Sequence, residues 1–250
     1  MTNVRINCNE NIGKIILDNP TIHNALMKAD VDIINLTLSR WKDLNLKAIL
    51  ITGIGKSFSS GLFLDDFDNR SWDKNPITVI CEAIESFECP VICALNGSAY
   101  GGSVEIALAC DFRIAHKGLS LKVPAAILGI HYEPSGLRRA LNILGPRVTR
   151  RLFLLGEEII FDDLLKTDFV DFLTEEGETV LQRGKKLVDS LNNNAPLAVS
   201  GMKKAINEIL NNSLDVKSSN RRIEECFNSI DHKEALLARK EKRVAKFRGS

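Results

Sequence analysis

NGSAYGGSVEIALACDFRIA, residues 96–115, decides how this chain is read. Just ahead of it, VICAL is apolar without alternation, which predicts a strand from Val91 to Leu95 buried on both faces. The glycine turn then opens onto a run of small and apolar residues, a predicted helix from about Val104 to Ala109. DFRIA, Asp111 to Ala115, predicts the next strand. Buried strand, glycine turn, helix and buried strand in succession describe an α/β fold with largely parallel pairing.

Working outward, KAILITG (Lys47 to Gly53) is a second buried strand, followed by a second glycine turn in SFSSGLFLDDF, Ser57 to Phe67. A polar stretch, DDFDNRSWDKN, leads to Pro76 at the expected first position of a helix whose apolar face is Ile77, Ile80, Cys81, Ile84 and Phe87. Near the N-terminus, Val4 to Cys8 and Lys14 to Asn19 predict two short strands across the turn NENIG. Asn24 is expected to open a helix running from Ala25 to about Leu44, with Val31, Ile34, Leu38 and Trp41 at helical spacing. Beyond about residue 175 no strand pattern remains, and three helical stripes follow: Val180, Leu187, Val188 and Leu191; Met202, Ala205, Ile206, Ile209 and Leu210; Ile223, Cys226, Phe227 and Ile230. That section is too small to bury three stripes alone, so it should pack on the preceding domain or on another subunit. The chain therefore divides into an α/β core over residues 1–190 and a C-terminal helical region over residues 191–250.

The 250 residues are 44% hydrophobic and 26% charged, ordinary globular usage, with 33 Lys and Arg against 32 Asp and Glu. The net charge of +1 gives no overall field toward nucleic acid or an anionic membrane. No basic segment leads into an apolar one at the N-terminus, and no apolar run approaches the roughly 18 residues a spanning helix needs, so the expectation is a soluble, cytoplasmic protein. Six cysteines (Cys8, Cys81, Cys89, Cys93, Cys110, Cys226) sit mostly in apolar runs and read as reduced core thiols; Cys89 and Cys93 lack the neighbours that would complete a metal site.

At a strand-to-helix junction, unpaired backbone N–H groups point into a cleft, and glycine lets a ligand approach them. Each of the two glycine turns is suited to a phosphate or an oxyanion, or is an ordinary tight turn; neither has dinucleotide spacing, and Gly53, Gly55 and Lys56 do not complete a Walker loop. Glu105 stands alone among Val104, Ile106, Ala107, Leu108 and Ala109. A carboxylate in such a helix is a candidate general acid or base because burial raises its pKa, the alternative being an ordinary ion-paired glutamate.

These stretches together resemble the crotonase superfamily, the enoyl-CoA hydratase/isomerase family, over roughly residues 4–249. NPTIHNAL (Asn19 to Leu26), SFSSGLFLDD, NGSAYGGSVEIALACDFRIA, LGIHYEPSGLRRALNILGP, NNAPLAVSGMKKAIN and SIDHKEALLARKEKRVAKFRG occur in the family's order. The resemblance implies an α/β crotonase-like spiral of ββα units with a C-terminal helical region, assembled as a homotrimer or hexamer. It also implies a coenzyme A thioester as substrate, with no metal or redox cofactor, no nucleic acid and no membrane. By position, the N–H groups of Leu62 and Gly102 would form an oxyanion hole, with Ser60, Gly61, Gly101, Pro124 and His131 among the residues around the bound thioester.

Under the same resemblance Glu105 falls on the first catalytic glutamate of the hydratases, while Ala125 stands where they carry the second. Alanine can neither position a water nor carry a proton, which counts against hydration, while the family's one-carboxylate isomerases often keep the second position instead; hydration and double-bond isomerisation using Glu105 both stay open. Methylmalonyl-CoA decarboxylases of the family likewise pair a glutamate with an apolar residue and carry a tyrosine matched here by Tyr132, flanked by His131 and Glu133. Phe63, where many members have aspartate, loosens the subclass further. A catalytically weak acyl-CoA binder or an RNA-associated protein of this fold is a reading of another class; balanced charge opposes the second, and both glycine turns with Glu105 oppose the first. The basic end RKEKRVAKFRG reads as a solvated helix end, and the resemblance would set Lys242 near the phosphates of CoA as a point charge.

Overall fold

A computed structural model describes residues 2–63, 65 and 74–250. Two strands open the chain, β1 (Val4–Asn9) and β2 (Ile12–Leu17), paired antiparallel through Glu10 and Asn11, both with positive φ (52° and 61°). That pair of left-handed residues matches the twist of a tight hairpin. Then follow α1 (Lys28–Trp41), β3 (Ala48–Gly53), β4 (Ser57–Ser59), α2 (Pro76–Glu85), β5 (Val91–Ala94), β6 (Ser98–Tyr100), α3 (Gly102–Ala109), β7 (Phe112–Ala115) and β8 (Ser120–Lys122). The remainder is α4 (Pro134–Leu154), β9 (Ile159–Ile160), α5 (Phe161–Leu164), β10 (Phe172–Leu173), α6 (Val180–Leu191), α7 (Pro196–Leu210), α8 (Val216–Asn228) and α9 (Ile230–Glu241).

Among the described residues the strands form two sheets, β1-β2-β3-β5-β7-β10, parallel from β2 onward, and a smaller β4-β6-β8-β9. The larger sheet shows why its strands read as continuous apolar runs. Ala48, Leu50, Ile92, Ala94 and Ile114 face Val180 and Val188 of α6, while Ile49, Ile51, Val91 and Cys93 face the main core with α1, α2 and α3. Alternate side chains thus enter two different apolar layers, so neither set needs to be polar. The short helix α3 lies between α2 and α4 with every residue from Ser103 to Ala109 buried.

Three expectations are corrected. Asn24 does not open α1, which begins at Lys28; its backbone takes a positive φ, and its Nδ2 faces the carbonyls of Ile54, Ser57 and Phe58 at 2.9, 2.9 and 3.1 Å. The side chain whose type suits a helix cap instead holds the chain against the second glycine turn. The third C-terminal stripe belongs to two helices, because Ser229 leaves helical geometry and caps α9 by accepting the N–H of His232. Finally, α3 starts two residues early, at Gly102. The predicted polar stretch after the turn, residues 65–75, lies mostly outside the described residues.

Of the C-terminal helices, α6 covers the large sheet and α7 is anchored by one buried side chain. Lys203 Nζ lies 2.7 Å from Asp111 and donates to the carbonyls of Ile84 and Cys89. Beyond that anchor, Met202, Ile206, Ile209, Ile223, Phe227 and Ile230 stay exposed. No helix among the described residues is long and apolar enough to cross a membrane.

Candidate active site

The two glycine turns, far apart in sequence, meet backbone to backbone. A β-carbon on Gly61 would fall 2.7 Å from the nitrogen of Gly102 and 2.9 Å from the carbonyl oxygen of Tyr100, closer than any side chain tolerates. Gly61 and Gly101 also hold positive φ (86° and 57°), so glycine answers both to the conformation and to the approach. Four polar contacts lock the junction. The Ser103 hydroxyl lies 2.7 Å from the Ser59 carbonyl and accepts the Tyr100 N–H, the Ser59 hydroxyl donates to the Asn24 carbonyl, and the Leu26 N–H donates to the Gly61 carbonyl. The N–H groups of Leu62 and Gly102, which border the adjoining cavity, meet no acceptor among the described residues.

That cavity, about 140 Å³, is lined by Ser60, Leu62, Gly101, Gly102, Glu105, Pro124, Ala125, His131, Tyr132 and Glu133, together with Asn75, Ile77, Val123, Leu128 and Ile130. Nearly all the residues expected at a site therefore share one hollow. Neither Gly61, which packs against the Gly102 backbone, nor Lys242 lines it; Lys242 ends α9 in the left-handed conformation, exposed to solvent.

Glu105, 3% exposed, stands in the first turn of α3, where the helix N-terminus favours a negative charge. Arg139, equally buried, crosses from α4. Its Nη1 donates to Glu105 Oε1 at 2.6 Å, and its Nε and Nη2 donate to the two oxygens of Glu85 at 2.8 and 2.7 Å. Burial pushes the Glu105 carboxyl above the ordinary glutamate range; the Arg139 charge and the Tyr132 phenol oppose that rise, and the Glu85 charge adds to it. Glu105 is thus both buried and ion-paired, combining the two alternatives its sequence context allowed.

Tyr132 closes the cavity beside this carboxyl. Burial and the Glu105 charge raise its phenol well above the usual tyrosine value, which keeps it protonated. Its ring stands edge-on to Phe153 with centroids 4.8 Å apart. Phe153 returns over Tyr132 because α4 breaks at Gly145, with non-helical φ and ψ, directly before Pro146. Gly136 makes room below: a β-carbon there would lie 2.6 Å from Tyr132 Cε1 and 2.9 Å from Glu105 Oε2. Among the described residues, the carboxylates lining the cavity are Glu105 and, at its exposed rim, Glu133. Ala125 lines the cavity and is buried, so no acidic group enters from that position.

Residues 7–250 match the enoyl-CoA hydratase/isomerase family. The chain belongs to that family. Its relatives include the crotonyl-CoA hydratase of Syntrophomonas wolfei, 30% identical over 98% of this chain and 97% of that protein, and the short-chain-enoyl-CoA hydratase of Clostridium acetobutylicum, 27% identical over 97% and 96%. The crystal structure of enoyl-CoA hydratase from Bacillus anthracis superposes with a TM-score of 0.87 at 25% identity, over 99% of this chain and all of that one. As a member of the enoyl-CoA hydratase/isomerase family, the chain has the expected crotonase fold, with its two sheets and C-terminal helices.

Sequence reading did not find Arg139 or Glu85. LRRAL offers two adjacent arginines, and only the packing of α4 on α3 buries Arg139 while leaving Arg138 half-buried. A charged residue three positions after Gly136, on the face that also carries Ala140, was the available signal.

Proposed function

We propose that this chain transforms acyl-CoA thioesters through an enolate, with the N–H groups of Leu62 and Gly102 receiving the thioester oxygen and Glu105 carrying the proton. The observation behind this reading is the junction of the two glycine turns: two N–H groups that meet no acceptor among the described residues border the same small cavity as one buried carboxylate. As a proton leaves the carbon beside the thioester, its electron pair moves onto the carbonyl oxygen, where preorganised donors of this kind contribute roughly 3 to 4 kcal/mol each. A carboxyl held above its ordinary range suits a group that must both take and return a proton.

With Ala125 in place of a second acid, the favoured reaction is a proton shift along the acyl chain. Glu105 removes a proton at one carbon and returns it to another, so nothing enters or leaves. The protonated Tyr132 phenol beside Glu105 favours one rival, decarboxylation of a malonyl-type thioester. There the carbon–carboxylate bond breaks, carbon dioxide departs without the bonding electron pair, that pair forms the enolate, and the Tyr132 phenol gives the α-carbon its proton and is reprotonated from solvent. The exposed apolar faces of α7 to α9 support assembly as a homotrimer or hexamer, with residues 191–250 forming subunit contacts on the 1–190 core. Light scattering should give a multiple of three subunits; a monomer at micromolar concentration would remove the assembly from the reading.

Incubating the purified protein with crotonyl-CoA, 3-butenoyl-CoA and methylmalonyl-CoA, followed by chromatography and mass spectrometry, separates the reactions. Isomerisation changes retention at constant mass, decarboxylation loses carbon dioxide, and hydration gains water. Absence of turnover on all three, with no CoA-thioester-dependent rise in melting temperature, would refute the proposal.

A further inference from the structure

The guanidinium of Arg139 serves two carboxylates at once, and the division is unequal. Glu85, from α2, takes the forked pair of N–H bonds with both of its oxygens. Glu105 takes a single bond on one oxygen, leaving Oε2 toward Gly136 and Tyr132. Glu85 itself does not line the cavity; it stands on the far side of Arg139, where Asn207 of α7 donates to its backbone carbonyl. An arginine held only by Glu105 would have several ways to lie, whereas a bidentate fork permits one.

We propose that Glu85 and Arg139 are a positioning pair for Glu105: the Glu85 fork fixes the guanidinium plane, and the guanidinium fixes one oxygen of Glu105, so that its other oxygen is presented to the substrate carbon. This rests on the reading of Glu105 as proton carrier. Neither member touches substrate; both act through the carboxylate they hold. The arrangement also sets the proton affinity of Glu105 from two sides. The charged or titratable groups around it are Arg139 from α4, Glu85 and Cys81 from α2, and Tyr132 ahead of α4, with His131 and Glu133 at the cavity lining. Arg139 favours the ionised form and Glu85 disfavours it.

Opposite signs make the pair testable. Glutamate carboxyl carbons labelled with carbon-13 report the Glu105 titration by NMR without any substrate, with the resonance assigned by its loss in Glu105→Gln. Arg139→Gln should move that titration to higher pH, and Glu85→Gln should move it to lower pH. The acid limb of the pH profile of kcat/KM on 3-butenoyl-CoA and methylmalonyl-CoA, whichever is turned over, should shift in the same two directions. In Arg139→Lys, which keeps the charge and loses the fork, the titration should return toward wild type while kcat stays down by about tenfold to a hundredfold and KM changes little, the signature of a misplaced group. An ion pair that only stabilises the fold would lower the melting temperature and leave the Glu105 titration and the acid limb where they are; that result, or shifts of the same sign in both variants, overturns the positioning pair. Should Arg139→Gln not fold, Glu85→Gln decides by direction, since the amide keeps the shape and one acceptor. Full activity in Glu105→Gln would instead defeat the proton-carrier reading, a distinct failure.

Discussion

The Ser103 hydroxyl lies 2.7 Å from the carbonyl oxygen of Ser59, tying the first turn of the helix that carries Glu105 to the loop that carries Leu62. It is buried and also accepts the Tyr100 N–H. This side chain therefore adds to the β4–β6 pairing a direct tie between the two turns on which the proposed oxyanion site depends. Ser103→Ala leaves buried backbone groups unpaired, a loss of about 1–3 kcal/mol. The expected outcome is a lower melting temperature together with weaker CoA-thioester affinity; unchanged affinity in a destabilised variant would show that the turns keep their register without it.

Gly136→Ala tests the floor under Tyr132 and Glu105. Its added carbon would press on both, at 2.6 Å from Tyr132 Cε1 and 2.9 Å from Glu105 Oε2. Overpacking of this kind costs about 1–3 kcal/mol. Thermal melts should record that loss, and turnover should fall further than stability predicts because both displaced groups belong to the proposed site.

Ala125 makes a claim about rate. With one buried carboxylate, wild-type hydration of crotonyl-CoA should run well below about 10 per second, the middle of the range for enzymes. Glu105→Gln should remove the residue of that activity while CoA-thioester binding, followed by calorimetry, persists. Hydration at or above that rate in the wild type would assign the second acid to Glu133 at the cavity rim.

Lys203→Met should release α7. It leaves Asp111, itself mostly buried, without its countercharge, and breaking one side of such a buried pair costs about 3–5 kcal/mol. Burial already raises the Asp111 pKa, with Lys203 opposing, so removing Lys203 raises it further. A folded state that holds a proton more tightly than the unfolded one loses stability as pH climbs from the ordinary aspartate value toward the folded one, and regains it on acidification. The deficit of Lys203→Met should therefore shrink as pH is lowered toward the ordinary aspartate value of 3.8. Denaturant melts at several pH values check this, and a deficit independent of pH would rule out Asp111 as its source.

By itself the sequence determined the parts whose physics is local or repetitive. Residues 91–95 and 48–51 are apolar at every position because α6 fills one side of the sheet and the main core the other, and that shows as unbroken hydrophobicity. Glu105 was legible because a lone charge in a small apolar helix needs a reason, and Gly61 and Gly101 because positive φ restricts the residue type. The strands β4, β6, β8 and β9, of two or three residues each, were not legible: two residues define no period, and only pairing across the smaller sheet makes them strands. Nor was the fate of Asn24, whose amide serves three carbonyls more than 29 positions away in sequence. Tertiary structure alone decided between Arg138 and Arg139. An arginine's free energy depends on the carboxylates it meets once water is excluded, and Glu85, Glu105 and Arg139 come from three helices that share no local sequence.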